Sequence, residues 1–447
     1  MLKRKIESAL AEWKADTRRK PLVVKGPRQC GKTFSVQKFA EENYKHVVYL
    51  NFYKHPDYAS AFNGSLEVDD LVVNISAMLH TDEFVPGETC LILDEIQECP
   101  EARTSLKFWK LDGRYDVICT GSLLGVRGYG RGKDQDDNQK TPKSVPVGYE
   151  STIDMYPLDL EEFLWANGIG QTVINKLKKC LQDETPVPDA IHSSLRTLAL
   201  QYVVVGGMPE VVNIFLETHD MGKVLREQRS LLAGYKDDMV KYAAEEDKPL
   251  IHQCFDSIPV QLSKDNKKFQ YSVVKKGGRS SQFLGSLQWL IDAGIVRKCN
   301  NLHITELPLD GNADDSVFKI YMGDTGLFIA MLEDGTQYDV LQGNLLTYKG
   351  AIFENLIADI FGKMGRKLYY YHKDSGLEVD FVMRYKGECT LLEVKADTGN
   401  VKSTKTILKH PEKYHVYHAI KLGDYNVGRN NQVLTLPLYM AFLLNQP

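Results

Sequence analysis

The first third of the chain alternates short apolar runs with stretches of helical periodicity. The apolar runs are "PLVV", "HVVYL", "CLIL" and "DVIC". After the first of them, "TFSVQKFAEENYK" repeats apolar residues at helical spacing. A continuous apolar run is typical of a parallel strand that helices cover on both faces. The pattern therefore predicts an α/β domain with a doubly wound parallel sheet, which we assign to residues 1–165.

The middle of the chain, residues 166–305, follows a helical pattern. Stretches such as "VLREQRSLLAGYKDDMVKYA" carry apolar residues at helical spacing and predict a helical lid. The later stretch "SSQFLGSLQWLIDAGIVRKCN" predicts a helix, a turn and a strand, an order that suggests a winged-helix-like module, and such modules often bind DNA. The basic residues around it fit either a DNA contact or a solvated surface; they are Lys264, Lys267, Lys268, Lys275, Lys276 and Arg279.

The last region, residues 306–447, mixes helix and strand patterns. Apolar spacing across residues 345–365 predicts a helix. Three strands should follow, in "KLYYYHK", "LEVDFVMRY" and "CTLLEVKA", with the turn "YKGE" joining the last two into a hairpin. The region is therefore expected to be a second α/β domain.

Composition narrows the class of protein. The chain has 447 residues and a formal net charge of −4, so contact with nucleic acid would need a local basic patch. Its apolar runs are far shorter than the roughly 20 residues that cross a bilayer. Eight cysteines are scattered without a CxxC pair, which favours reduced thiols. We expect a cytoplasmic protein that does not enter a membrane.

The loop after the first apolar run fits the pattern G-x-x-x-x-G-K-[ST]. Its glycines permit a tight turn whose amides can cradle phosphate oxygens, and the next helix begins with its positive end toward them. Lys32 should reach the β- and γ-phosphates, and the Thr33 hydroxyl should bind Mg²⁺. The residues expected to contact the nucleotide here are Gly26, Pro27, Arg28, Gln29, Cys30, Gly31, Lys32, Thr33 and Phe34.

Polar residues also end two later strands of the same domain. Asp94 and Glu95 follow "CLIL", where ligands bind in open α/β sheets. Asp94 would hold Mg²⁺, directly or through water, and Glu95 would orient and deprotonate the attacking water. Thr120 and Ser122 end the next strand, and either hydroxyl could sense the γ-phosphate, although a turn with hydroxyl caps explains them equally well. We include Ser122 among the nucleotide-binding residues.

The chain resembles bacterial and archaeal AAA-type ATP-binding proteins whose C-terminal half is a domain of unknown function, itself similar to restriction endonucleases. The resemblance implies ATP and Mg²⁺ as ligands. The segments that carry it, in order, are "RRKPLVVKGPRQCGKT", "LILDEIQECP", "ICTGSLLG", "MYPLDLEEFLWA", "YVVVGGMPEVV", "WLIDAGIVRK", "FKIYMGDTGLF" and "KGAIFENLIADI".

One position departs from that family. Tyr149 stands where the family commonly has an arginine, so a role of that arginine in nucleotide sensing or at an interface is lost or moved. Arg127 and Arg131 lie nearby without an assigned role. The polar segment 129–144 lacks apolar periodicity and predicts a loop.

The predicted hairpin carries a second set of charged residues. Asp380 lies on its first strand, while Glu393 and Lys395 lie two apart on the second and so share one face. This is the D…E-x-K arrangement of a restriction-endonuclease-like fold, in which two carboxylates hold Mg²⁺ and the lysine supports the nucleophile. Glu354, on the preceding helix, could be a third acidic ligand. An exposed ion pair and a strand cap explain the same residues without chemistry.

The favoured function is a Mg²⁺-dependent ATPase that couples its nucleotide state to a nuclease-like domain acting on or near DNA or RNA. The proposed catalytic residues are Lys32, Glu95, Asp380, Glu393 and Lys395. The alternative is a nucleotide-dependent switch that recruits a protein partner, with an inactive nuclease fold as the docking surface. A DNA motor is weaker, because no helicase-type motif follows the second acidic strand. Assembly into a homo-oligomer stays open.

Overall fold

The computed structural model describes residues 2–122, 148–242, 248–264, 267–344, 348–395 and 402–445. These residues fold into two units, Lys3–Tyr156 and Pro157–Pro447. This division differs from the three predicted regions 1–165, 166–305 and 306–447. None of the helices in the described ranges is both long and apolar enough to cross a membrane.

The first unit is a five-stranded parallel sheet with helices on both faces. The sheet order is β2-β3-β4-β1-β5, and all four pairings between these strands are parallel. The elements are α1 Ile6–Ala15, β1 Leu22–Lys25, α2 Lys32–Asn43, β2 His46–Asn51, α3 Val68–Leu79, β3 Thr89–Asp94, α4 Pro100–Asp112, β4 Asp116–Gly121 and β5 Ser151–Asp154, with 3₁₀ turns at Pro56–Phe62 and Ile96–Glu98.

Alternate residues of these strands serve two separate cores. Val24 and Ile92 pack toward α1 and α2, whereas Leu91 and Leu93 pack toward α3 and α4. Because both faces are covered, every residue of β3 is buried, which explains its unbroken apolar run. The predicted α/β domain is therefore present, and the carboxyl ends of its parallel strands meet at one edge.

The second unit contains thirteen helices within the described ranges. They are α5 Leu160–Ala166, α6 Gln171–Asp183, α7 Asp189–Val205, α8 Pro209–Thr218, α9 Met221–Tyr242, α10 Lys248–Ser263, α11 Tyr271–Val274, α12 Ser280–Asp292, α13 Thr325–Ala330, α14 Thr336–Gln342, α15 Lys349–Lys363, α16 Lys402–Leu408 and α17 Pro411–Tyr414.

The same unit contains one mixed sheet of eight strands, in the order β12-β13-β11-β10-β9-β8-β6-β7. Its strands are β6 Val296–Leu302, β7 Ala313–Met322, β8 Leu368–His372, β9 Glu378–Tyr385, β10 Glu388–Lys395, β11 His418–Gly423, β12 Gly428–Asn430 and β13 Val433–Pro437. The predicted boundary at residues 305/306 falls between β6 and β7. These strands are hydrogen-bonded to each other, and β6 also pairs with β8, so the sheet crosses that boundary.

Two local predictions in this unit can be compared directly with the structure. The predicted helix over residues 345–365 is α15, and residues 345–347 lie outside the described ranges. The predicted hairpin is the antiparallel pair β9 and β10. Its turn consists of Lys386 and Gly387, both with positive φ, 51° and 82°, as a type I′ turn requires.

Candidate functional site

The loop between β1 and α2 depends on two glycines. Gly26 has a φ of 155°, and a Cβ atom placed on it would lie 1.9 Å from the carbonyl oxygen of Met155. Gly31 has a φ of 96° and directly precedes α2. An L-residue with a side chain would be strained at both positions, and at Gly26 it would also collide with backbone. The loop conformation therefore follows from the two glycines of the sequence pattern.

Lys32 is the first residue of α2, and its side chain folds back over the loop. The ammonium donates hydrogen bonds to the carbonyl oxygens of Gly26 at 3.1 Å and Pro27 at 2.8 Å. The residue is only 6 % exposed. The positive charge is thus held within the loop that is expected to receive phosphate.

Asp94 is the centre of a hydrogen-bond cluster at the ends of three strands. It is 2 % exposed and accepts hydrogen bonds from the Thr33 hydroxyl at 3.0 Å, the Tyr49 hydroxyl at 2.6 Å and the Asn51 amide at 2.8 Å. The Thr120 hydroxyl donates to it as well. All of these donors are neutral, so none of these hydrogen bonds brings a positive charge to Asp94. A carboxylate beside a threonine hydroxyl is an oxygen donor set that suits Mg²⁺.

Glu95 has a left-handed backbone, with a φ of 53°. Such a conformation is uncommon for a residue with a side chain and concentrates at functional sites. Its carboxylate accepts a hydrogen bond from the Ser122 hydroxyl at 3.1 Å and another from the Gln97 amide. The two candidate hydroxyl groups therefore have different partners: Thr120 donates to Asp94, and Ser122 donates to Glu95.

Three further loop residues lie at the surface of this site or near it. Phe34 is 57 % exposed, and Gln29 is exposed with a φ of 60°. The Arg28 guanidinium lies 5.9 Å from the centre of the Tyr53 ring. Their predicted contacts with a nucleotide stay predictions.

Tyr149 stands where the similar AAA-type proteins commonly have an arginine, and the described residues include only part of the surrounding segment. The Tyr149 ring lies 5.6 Å from the Lys107 ammonium, a cation–π contact. Arg127, Arg131 and the predicted loop 129–144 lie outside the described residues.

The hairpin of the second unit brings its three predicted residues together. The Lys395 ammonium lies 2.7 Å from Glu393 Oε2 and 3.6 Å from Asp380 Oδ2. Asp380 also accepts a hydrogen bond from the Val394 amide at 2.8 Å, and Glu393 accepts one from the Thr404 hydroxyl at 2.5 Å. Both carboxylates are buried. The arrangement is a compact charged cluster on one sheet.

Burial and neighbouring charges shift the pKa values of Glu393 and Lys395. Loss of solvent, followed by the nearby negative charge of Asp380, raises the pKa of Glu393 to about 7. Burial by itself would lower the pKa of Lys395, but the charges of Asp380 and Glu393 outweigh it and the pKa is raised. The lysine is therefore charged across the physiological range.

Glu354 is held by basic and hydroxyl groups rather than by the other carboxylates. Lys267 forms an ion pair with it, the Tyr321 hydroxyl donates at 3.2 Å, and the Lys319 ammonium lies 3.9 Å away. Lys319 also pairs with Glu378 at 2.8 Å. Among the described residues, no group of three or more histidine, cysteine, aspartate or glutamate side chains has a metal-binding arrangement.

Sequence reasoning missed several members of both sites. Tyr49 and Asn51 lie at the end of β2, and polar residues that close an apolar strand were the available signal. Lys319 is 1 % exposed, and its signal was a lone charge inside the apolar strand "VFKIYM". Arg4, which contacts the first loop, gave no signal in the sequence.

The basic residues of the middle region differ in their exposure. Lys267 turns inward to Glu354, whereas Lys275, Lys276 and Arg279 are exposed. The elements α10, α11, α12, β6 and β7 follow one another as a winged-helix-like module would require. However, β6 pairs with β8, so β6 and β7 form the edge of the large sheet.

Comparison with known families places the first site in a class. Residues 18–164 match the model of a family described as an AAA domain. Together with the parallel sheet and the loop, this match supports a P-loop domain of the AAA type in the first unit. Domains of this class bind ATP and usually employ Mg²⁺. Residues 196–338 and 349–439 match two domains of unknown function, DUF8612 and DUF4143, so the predicted restriction-endonuclease-like fold stays a prediction.

Three solved structures are similar to parts of this chain. The Walker-type ATPase PABY2304 of Pyrococcus abyssi is 14 % identical over 74 % of this chain and 96 % of its own, with a TM-score of 0.43. The Aeropyrum pernix ORC1 protein in complex with DNA is 11 % identical over 76 % and 90 %, at 0.29. C. elegans PCH-2 is 13 % identical over 43 % and 50 %, at 0.22.

At TM-scores below 0.5, these similarities carry no argument about function. A search of the curated proteins found no match.

Proposed function

We propose that the first unit binds ATP with Mg²⁺ and hydrolyses it. The observation that carries this proposal is the 3.0 Å hydrogen bond between the Thr33 hydroxyl and the buried Asp94 carboxylate, next to the loop that holds Lys32. The side chains that donate hydrogen bonds to Asp94 are neutral, so none of them takes the place of a cation. The AAA family match over residues 18–164 supports the same activity.

Each residue of the site has a separate part in hydrolysis. The loop amides and the Lys32 ammonium bind the phosphates and neutralise the charge that develops on them. Thr33 and Asp94 would hold Mg²⁺, which supplies electrostatic stabilisation of the γ-phosphate. Glu95 accepts the proton of the attacking water, and the Ser122 hydroxyl fixes one oxygen of Glu95 by its 3.1 Å hydrogen bond.

Two substitutions separate binding from turnover. Lys32→Ala should abolish ATP binding, whereas Glu95→Gln should bind ATP and hydrolyse it about a hundredfold to ten-thousandfold more slowly. Lys25→Ala is the matched control, because Lys25 ends β1 and pairs at 3.4 Å with Asp154. Nucleotide binding and phosphate release are measured on all four proteins. Equal hydrolysis in wild type, Lys32→Ala and Glu95→Gln would reject the assignment.

As a second candidate function, we propose a nuclease-like site at Asp380, Glu393 and Lys395. Two observations favour it. The ammonium of Lys395 lies within 3.6 Å of both carboxylates. Apart from the short helix α17, the elements α15, β8, β9, β10, α16 and β11 follow the helix–three strands–helix–strand order expected of a restriction-endonuclease-like fold, with β10 and β11 parallel. Asp380 and Glu393 would hold Mg²⁺, and Lys395 would stabilise charge on a phosphodiester.

Plasmid cleavage in magnesium buffer tests this second site. Wild type should nick the plasmid, Lys395→Ala should not, and Lys409→Ala should behave as wild type because Lys409 is exposed on the same region. Absence of cleavage, combined with ATP-dependent capture of a protein partner, would favour the switch over the nuclease.

We propose nucleic acid as the partner through the exposed Lys275, Lys276 and Arg279. Replacing all three by alanine should weaken binding to DNA or RNA and reduce its dependence on salt. The readouts are the affinity at two salt concentrations and ATP turnover with each nucleic acid. Unchanged affinity in the triple variant would reject this surface.

A further inference from the structure

An arginine near the start of the chain holds the back of the phosphate-binding loop. Arg4 Nη1 donates to the carbonyl oxygen of Cys30 at 3.0 Å, and Nη2 donates to that of Tyr156 at 2.6 Å. Arg4 is 8 % exposed. One buried guanidinium therefore joins the loop to the last residue of the first unit.

The contact with Cys30 fixes the direction of the next amide. A trans peptide is planar, so its C=O and N–H bonds point in opposite directions. Because Arg4 holds the Cys30 carbonyl, the Gly31 N–H must point away from Arg4. Gly31 is a residue whose amide a phosphate-binding loop employs, and its φ of 96° leaves the peptide dependent on such an anchor.

The loop has further contacts with the same segment. The Cys30 sulfur lies 3.5 Å from the carbonyl oxygen of Met155, and Gly26 leaves no room for a Cβ atom beside that oxygen. The Met155 amide donates to the Lys25 carbonyl at 2.8 Å. The loop is thus hydrogen-bonded to the backbone of residues 155–156, and the second unit begins at the next residue, Pro157.

We propose that Arg4 is a positioning residue for the phosphate-binding loop. It orients the Gly31 amide toward phosphate and transmits phosphate binding to the backbone of Met155 and Tyr156. The inference rests on the proposed nucleotide function of the loop. Arg4 acts through the peptide that it holds.

The test compares Arg4→Ala and Arg4→Lys with Arg19→Ala. Arg19 belongs to the same N-terminal segment and pairs at 2.7 Å with Asp116, the first residue of β4, at the opposite end of the strands. Arg4→Ala should weaken ATP binding about tenfold to a hundredfold, through loss of two charged hydrogen bonds. Arg4→Lys should lie between, and added guanidinium ion at low millimolar concentration should restore part of the affinity of Arg4→Ala alone. Arg19→Ala should bind ATP as wild type does.

Hydrogen exchange distinguishes a positioning role of Arg4 from a merely structural one, because only a positioning role links ATP binding to the exchange of distant amides. ATP should slow exchange of the amides of residues 153–156 in wild type and Arg19→Ala, and this effect should disappear in Arg4→Ala. If Arg4→Ala loses thermal stability but keeps its ATP affinity and its exchange response, the positioning role is wrong and the nucleotide function stands. If wild type and Arg19→Ala also fail to bind ATP, both proposals are wrong.

Discussion

The two sites differ in the charge of the groups that contact their carboxylates. In the first unit, Asp94 is surrounded by neutral donors, the side chains of Thr33, Tyr49, Asn51 and Thr120. In the second, lysines compensate the carboxylates; the pairs are Lys395 with Asp380 and Glu393, Lys319 with Glu354 and Glu378, and Lys267 with Glu354.

This difference has a physical consequence. A buried carboxylate whose hydrogen-bond donors are all neutral gains from an added cation, so the first site should depend on a divalent ion. A carboxylate that is already paired gains less from an added cation, but it loses much when its lysine is removed. The first site should therefore respond mainly to ligands, and the second mainly to mutations of its own lysines.

The largest effect should come from removing a deeply buried lysine of the second site. Lys319 is 1 % exposed; burial alone would lower its pKa, but the charges of Glu354, Glu378 and Asp380 raise it. Lys319→Met should lower the free energy of unfolding by about 3–5 kcal/mol, because the buried Glu354 and the partly buried Glu378 both lose a compensating charge. Urea unfolding measures the change.

Two controls isolate the charge effect at Lys319. Adding Glu378→Gln to Lys319→Met should recover part of the lost stability, because one uncompensated charge is removed. Lys298→Met, on the neighbouring strand β6, should change stability by less than about 1 kcal/mol, since its partner Asp315 is exposed. An unchanged urea midpoint in Lys319→Met would contradict the statement that Lys319 compensates the carboxylates of the second site.

The next effect concerns Asp94, the buried carboxylate of the first site that has only neutral side-chain donors. Asp94→Asn keeps the size of the side chain and removes its charge, so ATP affinity in magnesium buffer should fall about tenfold to a hundredfold. In EDTA the variant and wild type should bind ATP about equally. Titration calorimetry in both buffers checks this. A loss of the same size in EDTA would mean that Asp94 shapes the loop rather than holding a cation.

The third effect is the pH dependence that Glu393 of the second site contributes to stability. Burial and Asp380 raise the pKa of Glu393 to about 7, above its value of 4.5 in the unfolded chain. Between those values the folded state holds a proton that the unfolded state has released, so stability falls as pH rises from about 4.5 to about 7. The loss should reach about 3 kcal/mol.

Glu393→Gln should remove this slope, because an amide does not titrate in this range. Unfolding is measured at several pH values in buffer with a chelator, and the variant is compared with wild type at each one. Asp359, whose buried carboxyl has its pKa raised to about 6, contributes the same slope to both proteins and cancels in the difference. Parallel profiles for the two proteins would contradict the raised pKa.

Sequence reasoning reached what is local in the chain. The loop from Gly26 to Thr33 is contiguous, and Asp380 and Glu393 share one hairpin, so spacing alone placed them. Tyr49 reaches Asp94 because β2 lies beside β3, a pairing that follows from tertiary packing.

Distant partners could not be found in this way. Lys319 meets Glu378 across 59 positions of sequence, and Arg4 meets Cys30 across 26. The same limit applies at the predicted boundary 305/306, because β6 takes its second partner from β8, which lies beyond it in the sequence. A helical pattern before a strand does not reveal which sheet that strand will join.

The smallest effect should come from the turn that holds the second site together. Lys386 has a φ of 51° in the β9–β10 turn and is followed by Gly387. Asparagine tolerates this left-handed conformation better than lysine does, and Asn-Gly is a preferred pair in such turns. Lys386→Asn should therefore raise the free energy of unfolding by about 0.5–1 kcal/mol. Since the turn fixes the register of Asp380 and Glu393, the variant should leave the pH slope intact, and a decrease in stability would contradict the assigned turn.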